Sequence, residues 1–306
     1  MDHSSSQGSR QPVIGMGAVY ALLAYGSWGI LPIYWKLFGQ TPAVQVISHR
    51  VVWSMVFLSM LLLLQHRRTE LAQLVRSPKT VALLFTSAAL LTLNWGIYVH
   101  GVNTDRVVET SLGYYINPLV NVLLGFVVLR ERLSRWQQLA VGLAILGVGN
   151  FVWQLGVVPW IALLLALTFA FYGLIRKLVP VAPLLGLAVE TGLMGSFALL
   201  AIAYWAATGS SQFGSDWRLT LLFIGAGIIT SMPLLWFNNA AKRLQFSTLG
   251  FFQYLAPSLQ LLLGVFLYGE PFTPTHMITF GLIWTALLLY SASSWMNHRG
   301  AERQRG

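Results

Sequence analysis

Long apolar stretches, each about the length needed to cross the hydrocarbon core of a bilayer, recur along the chain and are separated by short polar breaks. They fall at about 13–35, 43–64, 80–100, 107–129 and 136–155, then at about 157–175, 184–206, 217–239, 246–268 and 275–296. Each reads as a membrane-spanning helix, because an isolated helix satisfies all of its backbone polar groups internally. Breaks this short leave no room for a soluble domain. The pattern predicts an all-α membrane protein of ten transmembrane helices, with a disordered tail at 1–12 and a basic cytoplasmic tail at 297–306.

The ten segments form two related sets. Shifted by 139 residues, Tyr115 falls on Tyr254, Pro118 on Pro257, Gly125 on Gly264, Glu131 on Glu270 and Gly142 on Gly281. Near the start of each set a shift of 141 aligns Lys36-Leu37 with Lys177-Leu178. Leucine matches carry little weight in so apolar a chain, but matched Pro, Gly, Tyr and Glu do. The halves are 13–155 and 156–296, with five helices each. Because five is odd, the second half enters the membrane from the opposite side, and the repeat is inverted. Secondary transporters are built this way, with their sites near the midplane between the repeats.

Charge gives the orientation. Only 9% of the 306 residues are charged, too few to coat a soluble globule of this size. With both termini in the cytoplasm, inside segments hold fifteen Lys and Arg, Arg176 and Lys177 among them, while the outside loops hold only Lys36, Arg106 and Arg218. The net charge of +10 is therefore a loop property, and no nucleic-acid partner is expected. The chain has no cysteine, which removes disulfides, iron–sulfur clusters and thiol catalysis. It has no phosphate-binding loop and no His-Glu-xx-His, so neither direct ATP drive nor that metal chemistry is expected. No enzyme activity, cofactor or metal is predicted.

Ionisable groups within spans are costly and mark candidate function. His49 and Arg50 lie in the second span and Glu190 in the seventh, where the repeat makes Glu190 the counterpart of His49 or Arg50. An Arg50–Glu190 ion pair is possible but not implied, and Arg50 can instead snorkel outward or pair with Glu109. Glu109 opens the fourth span, where a carboxylate also complements the helix dipole. Amides and aromatics cluster around Asn94, around Tyr115, Asn117 and Asn121, around Asn239, and around Gln253 and Tyr254. Kinks at Pro118 and Pro257, with Pro32 in the first span, would help such side chains line a cavity. The plain alternatives are hydrogen-bond glue between helices and interfacial anchoring. Glu131 and Glu270 are expected to cap the helices that follow them.

Several of these stretches resemble one family. Gly26-Ser27-Trp28-Gly29, His49-Arg50-Val51-Val52-Trp53-Ser54, Glu109-Thr110-Ser111-Leu112-Gly113, Pro233-Leu234, Ala240-Ala241-Lys242-Arg243-Leu244 and Gln253-Tyr254-Leu255-Ala256-Pro257 are similar to the RarD permeases. These belong to the EamA-type branch of the drug/metabolite transporter superfamily. Tyr115 and Trp236-Phe237-Asn238-Asn239 depart from the family pattern. The resemblance implies two inverted EamA repeats in a bacterial inner-membrane permease that exports small metabolites or drugs. The expected partners are a small-molecule substrate, the lipid bilayer and a coupled proton, carried by Glu190 or His49. The rival reading is a flippase for an amphipathic or lipid-linked substrate.

Overall fold

The computed structural model of the chain describes residues 11–104, 106–156, 158–269 and 274–303. The apolar stretches appear as helices α1 (Gln11–Lys36), α2 (Ala43–Leu64), α4 (Pro78–Asn103), α5 (Val107–Val127) and α6 (Arg135–Leu155). They continue as α7 (Trp160–Leu178), α8 (Pro183–Ala207), α9 (Trp217–Arg243), the pair α10 (Phe246–Gln253) and α11 (Leu255–Leu262), and α12 (Pro274–Arg303). The short helix α3 (Arg68–Val75) lies between α2 and α4. Among the described residues nine stretches are long and apolar enough to cross a membrane, α10 and α11 counting together. The tenth helix, α6, is of spanning length, but Arg135, Gln137, Gln138, Asn150 and Gln154 dilute its hydropathy.

Residues 1–10 and Glu270 lie outside the described residues. α12 runs on to Arg303, into the stretch expected as a basic tail, and α1 begins at Gln11, within the stretch expected as a disordered one. Ala301, Glu302 and Arg303 are strong helix formers, so the helix continues past the last apolar residue.

The chain divides into two compact units that interleave the halves. Unit 1 holds residues up to Val99 and Phe171–Leu244, and unit 2 holds His100–Ala170 and the residues from Gln245 on. In unit 1, α9 packs closely on α1, α2 and α8, and α2 packs on α8. The approach of α2 to α9 depends on Gly227, where a Cβ would lie 2.3 Å from the Trp53 carbonyl carbon. Ser54 Oγ donates to the buried Gly227 carbonyl at 3.0 Å. At one end of the unit the last turns of α7 and α9 cap each other. Lys177 Nζ donates to the Ala241 carbonyl at 3.0 Å and to Leu244 O, while Lys242 Nζ donates to Lys177 O at 3.1 Å and to Val179 O. Each ammonium thus meets carbonyls at the C-terminal end of the other helix, where the helix dipole favours a cation.

In unit 2, α6 packs on α12 and α5 on α10, around a core containing Tyr115, Phe251, Tyr254, Phe280 and Tyr290. A capping box of Ser134 and Gln137 starts α6. Glu131, expected to cap the helix after it, instead caps α10. Its carboxylate accepts from Phe246 N at 2.6 Å, from Ser247 N at 2.9 Å and from Ser247 Oγ at 2.7 Å. The three prolines singled out in the sequence behave differently. Pro32 and Pro118 sit inside uninterrupted helices, whereas the helix breaks at Tyr254, three residues before Pro257. Pro257 lacks the N–H that would bond Gln253 O, and its ring crowds that carbonyl. A single π-helical turn, Leu263–Leu267, follows.

Candidate functional site

Unit 1 contains a cavity walled by α2, α4, α8 and α9, with ≈ 410 Å³ of atom-free space counting the part that opens to the surroundings. The helix starts set its symmetry. α2 begins at Ala43 and α8 at Pro183, 140 residues apart; α4 begins at Pro78 and α9 at Trp217, 139 apart. These offsets pair Val51 with Thr191, Ser54 with Met194, Leu91 with Thr230, Thr92 with Ser231 and Trp95 with Leu234. All ten line the cavity, with only Ala88, Leu187 and Glu190 in addition. The cavity therefore lies where the two halves present equivalent positions. The 140-residue offset also resolves the ambiguity at the buried charges: Glu190 answers to Arg50.

The lining is symmetric in position and asymmetric in chemistry. The first half supplies Val51, Leu91 and Trp95 with the hydroxyls of Ser54 and Thr92, and the second half supplies Glu190, Thr191, Thr230 and Ser231 with Leu187, Met194 and Leu234, so the carboxylate and three of the five hydroxyls come from the second half. Glu190 is 3% exposed, Thr230 8% and Ser231 0%. Thr191 is satisfied by the Leu187 carbonyl one turn back. By contrast Glu190 Oε2, Thr230 Oγ1 and Ser231 Oγ are buried with no hydrogen-bond partner among the described residues. Unmet polar atoms are costly in a low-dielectric interior, so three on one wall mark a place prepared for a ligand or water.

Behind that wall lies a buried network. Glu190 Oε1 stands 3.5 Å from Arg176 Nε and accepts from Ser87 Oγ. Arg176, wholly buried, donates from Nε to Asn238 Oδ1 at 3.2 Å and from Nη2 to the Pro183 carbonyl at 3.2 Å. Asn238 Nδ2 in turn donates to the Tyr172 hydroxyl at 3.2 Å. Room for the guanidinium comes from Gly186, where a Cβ would stand 2.0 Å from Arg176 Nη1.

The other predicted residues fall in several places. Arg50 does not bond Glu190; its guanidinium lies 3.7 Å over the ring of Trp95, the aromatic member of the cavity wall. His49 is buried between the rings of Phe213 and Phe223, at centroid distances of 4.9 and 4.3 Å, and does not line the cavity. Asn94 is half-buried beside Trp95 and is not part of the lining either. Asn239 is held within its own helix, donating to Leu235 O at 2.8 Å and accepting from Arg243 Nη1 at 2.7 Å. In unit 2, Asn117 donates to the Ala166 carbonyl at 2.7 Å, and Asn121 donates to Gln253 Oε1 at 2.9 Å and Asn117 Oδ1 at 3.3 Å. Tyr115 and Tyr254 are core aromatics of that unit. These five join helices and form no part of the unit 1 cavity. The side chain of Glu109 lies outside the described residues.

Arg176 and Asn238 were missed by the sequence reading. Arg176 sits next to Lys177 and looks like half of a loop charge pair. Its helical register was the available signal, since Tyr172 precedes it by one turn on the same face.

The model of the EamA-like transporter family matches the chain twice, over residues 15–152 and 158–292. The chain belongs to the EamA-like transporter family. It is 44% identical to protein RarD of Escherichia coli over 90% of this chain and 93% of that one. An uncharacterized transporter of Pseudomonas aeruginosa is 46% identical, with 92% of this chain and 95% of the relative covered. A chloramphenicol-sensitive protein RarD of the same organism is 33% identical over 90% and 94%. One crystal structure shares the fold with a TM-score of 0.70 at 19% identity, covering 93% of this chain and 99% of that one. This EamA-family chain is thus a multi-pass membrane transporter of the drug/metabolite type, and not an enzyme. Its unit 1 cavity presents an indole ring, apolar side chains and hydroxyl groups. Among the described residues no cluster of three His, Asp or Glu could hold a metal ion.

Proposed function

We propose that the chain is a secondary-active permease of the bacterial inner membrane that exports small metabolites or drugs through the unit 1 cavity by alternating access of its two inverted halves. The observation that carries this reading is the cavity wall built from repeat-related pairs. A site on the symmetry axis is reached equally from either side when the halves exchange conformations. A second feature supports it. Among the described residues of unit 1, α9 is close-packed on α1 and α2, whereas its counterpart α4 has no comparably close helix neighbour and contributes to the cavity wall. Exchanging those two arrangements would close one side and open the other. Both termini are cytoplasmic in this proposal. The drive is a proton or solute gradient, with Glu190 in the cavity wall and His49, elsewhere in unit 1, as the groups that change charge.

The chain's lack of cysteine makes the test direct. Leu91→Cys and Leu234→Cys, introduced singly, are reacted in oriented vesicles with a membrane-impermeant thiol reagent from each side. Both positions should be reachable from both sides over time, with the ratio of the two rates changed by an imposed pH gradient. Labelling confined to one side at both positions refutes alternating access. A ratio indifferent to the gradient removes the proton. Gln65→Cys, beside the basic residues after α2, should react only from the cytoplasmic side, and the opposite result reverses the orientation.

A further inference from the structure

The ion pair behind the cavity decides what charge the cavity accepts. Glu190 is one of the residues lining the cavity and its Oε2 is buried without a partner, but Arg176, 3.5 Å from its other oxygen, already balances the carboxylate. Both side chains are almost completely buried, so solvent screens neither. An anion entering the cavity meets the carboxylate first. A cation leaves the site with one uncompensated positive charge in a medium that solvates it poorly. A neutral group with an O–H or N–H avoids both penalties and satisfies Oε2. Thr230 Oγ1 and Ser231 Oγ, each able to donate and accept, stand ready for the ligand's own acceptors. The first half faces this wall with Val51, Leu91 and Trp95 beside Thr92 and Ser54, whose hydroxyl is taken by the Gly227 carbonyl, and Arg50 stacked 3.7 Å over Trp95 holds that ring in place.

We infer that the unit 1 cavity recognises small amphipathic molecules of zero net charge, with a hydrogen-bond donor on Glu190, polar partners on Thr230 and Ser231, and an apolar or aromatic body against Trp95. This rests on the reading of the cavity as the transport site and adds the class of its cargo.

A matched probe series tests it: benzyl alcohol, anisole, benzylammonium and benzoate, which share a ring and differ in donor and charge. Binding to the full chain in lipid nanodiscs is followed by ligand-observed NMR, and the signal retained by Thr92→Trp, which fills the cavity wall, is subtracted. Benzyl alcohol should bind about tenfold more tightly than anisole, the worth of one hydrogen bond to a charged acceptor. It should also outbind both ions. The double variant Thr230→Val, Ser231→Ala should narrow the gap over anisole. Glu190→Gln should shift preference toward benzoate, because Arg176 is then unbalanced; a variant that merely loosens the fold would weaken all four probes alike. If Glu190→Gln does not fold, the hydroxyl double variant decides.

Equal binding of anisole, stronger binding of either ion, or no binding that Thr92→Trp removes would each overturn the inferred class. None of those results touches the labelling test above, so the cargo can be wrong while the transport reading stands. If the labelling fails while the probe order holds, the cavity is a neutral-ligand site in a protein that works otherwise.

Discussion

A glycine-to-alanine change in the interior of a helix ordinarily stabilises it by about 1 kcal/mol, because alanine loses less backbone freedom on folding. At Gly186 in α8 the sign should reverse. An added Cβ would lie 2.0 Å from Arg176 Nη1 and 2.7 Å from both Cζ and Nη2, far inside contact distance. The guanidinium cannot yield without cost. It is wholly buried and tied to Asn238, Pro183 and Glu190, so any shift that admits the methyl group releases those partners. Breaking a buried ion pair costs about 3–5 kcal/mol, since an uncompensated charge remains inside. Set against the helix gain, the net loss is about 2–4 kcal/mol. At ~2–4 °C per kcal/mol, this lowers the apparent melting temperature by on the order of 5–10 °C.

The assay is thermal unfolding of the detergent-purified chain followed by tryptophan fluorescence, with Gly192→Ala as internal control. Gly192 is on the same helix, and a Cβ there would meet nothing within 4 Å. That control should melt at or slightly above the wild type. Adding Arg176→Met and Glu190→Leu to Gly186→Ala should recover much of the loss, because an apolar replacement of a buried pair removes the charges as well as their attraction. If Gly186→Ala matches Gly192→Ala, the guanidinium is not wedged against α8 and the pair does not organise this wall.

Four further outcomes follow from the packing. Gly227→Ala should destabilise by about 1–3 kcal/mol, since its Cβ would strike the backbone of Trp53 and Ser54 at 2.3 and 2.6 Å and force α2 from α9; an unchanged melting temperature contradicts that approach. Glu131→Gln should cost about 1–2 kcal/mol by weakening the cap on α10, measured in the same melt, and no loss would show that the cap contributes little. Lys242→Met removes one ammonium from the α7–α9 end and should cost about 1 kcal/mol, whereas Arg243→Met, whose guanidinium bonds within its own helix, should cost less. Arg50→Lys should slow labelling or flux through the cavity with little change in melting, because a compact ammonium cannot stack on Trp95 as a planar guanidinium does; unchanged flux would make the contact incidental.

Hydropathy alone located the spans closely: the stretch read at 43–64 is α2, Ala43–Leu64. That success has a simple cause, since lipid leaves a spanning segment few alternatives to a helix. Rotation about the helix axis was less legible. Asn239 was singled out and bonds locally, while Asn238, one position and about 100° away, is wholly buried on Arg176. In a helix that is apolar nearly all round, periodicity does not say which face meets another helix and which meets lipid. The misreading of Arg176 has a related cause. Counting cations by loop assumes that a charge near a span end points to water, whereas Arg176 turns inward to the carboxylate of Glu190.

The repeat carried more information than any single residue, and it carried it at positions that a search for charges overlooks. Thr230 and Ser231 are unremarkable as letters, but they stand opposite Leu91 and Thr92 in the duplicated fold and share one cavity with them. Duplication places equivalent backbone positions on both walls, and divergence then decides what each wall says. Here the second half has the carboxylate and two unmet hydroxyls, while the first has valine, leucine and tryptophan beside Thr92 and a Ser54 hydroxyl already bonded to Gly227 O. A symmetric cavity lined symmetrically would hold an amphipathic ligand equally well in two orientations. With the carboxylate and the unmet hydroxyls on one wall, one orientation is favoured, whichever side the molecule enters from. Moving polarity across the axis, with Leu91→Thr and Thr230→Leu together, should therefore keep the shape of the cavity and erase that preference. A binding order unchanged by the exchange would show that the walls do not set the ligand's direction.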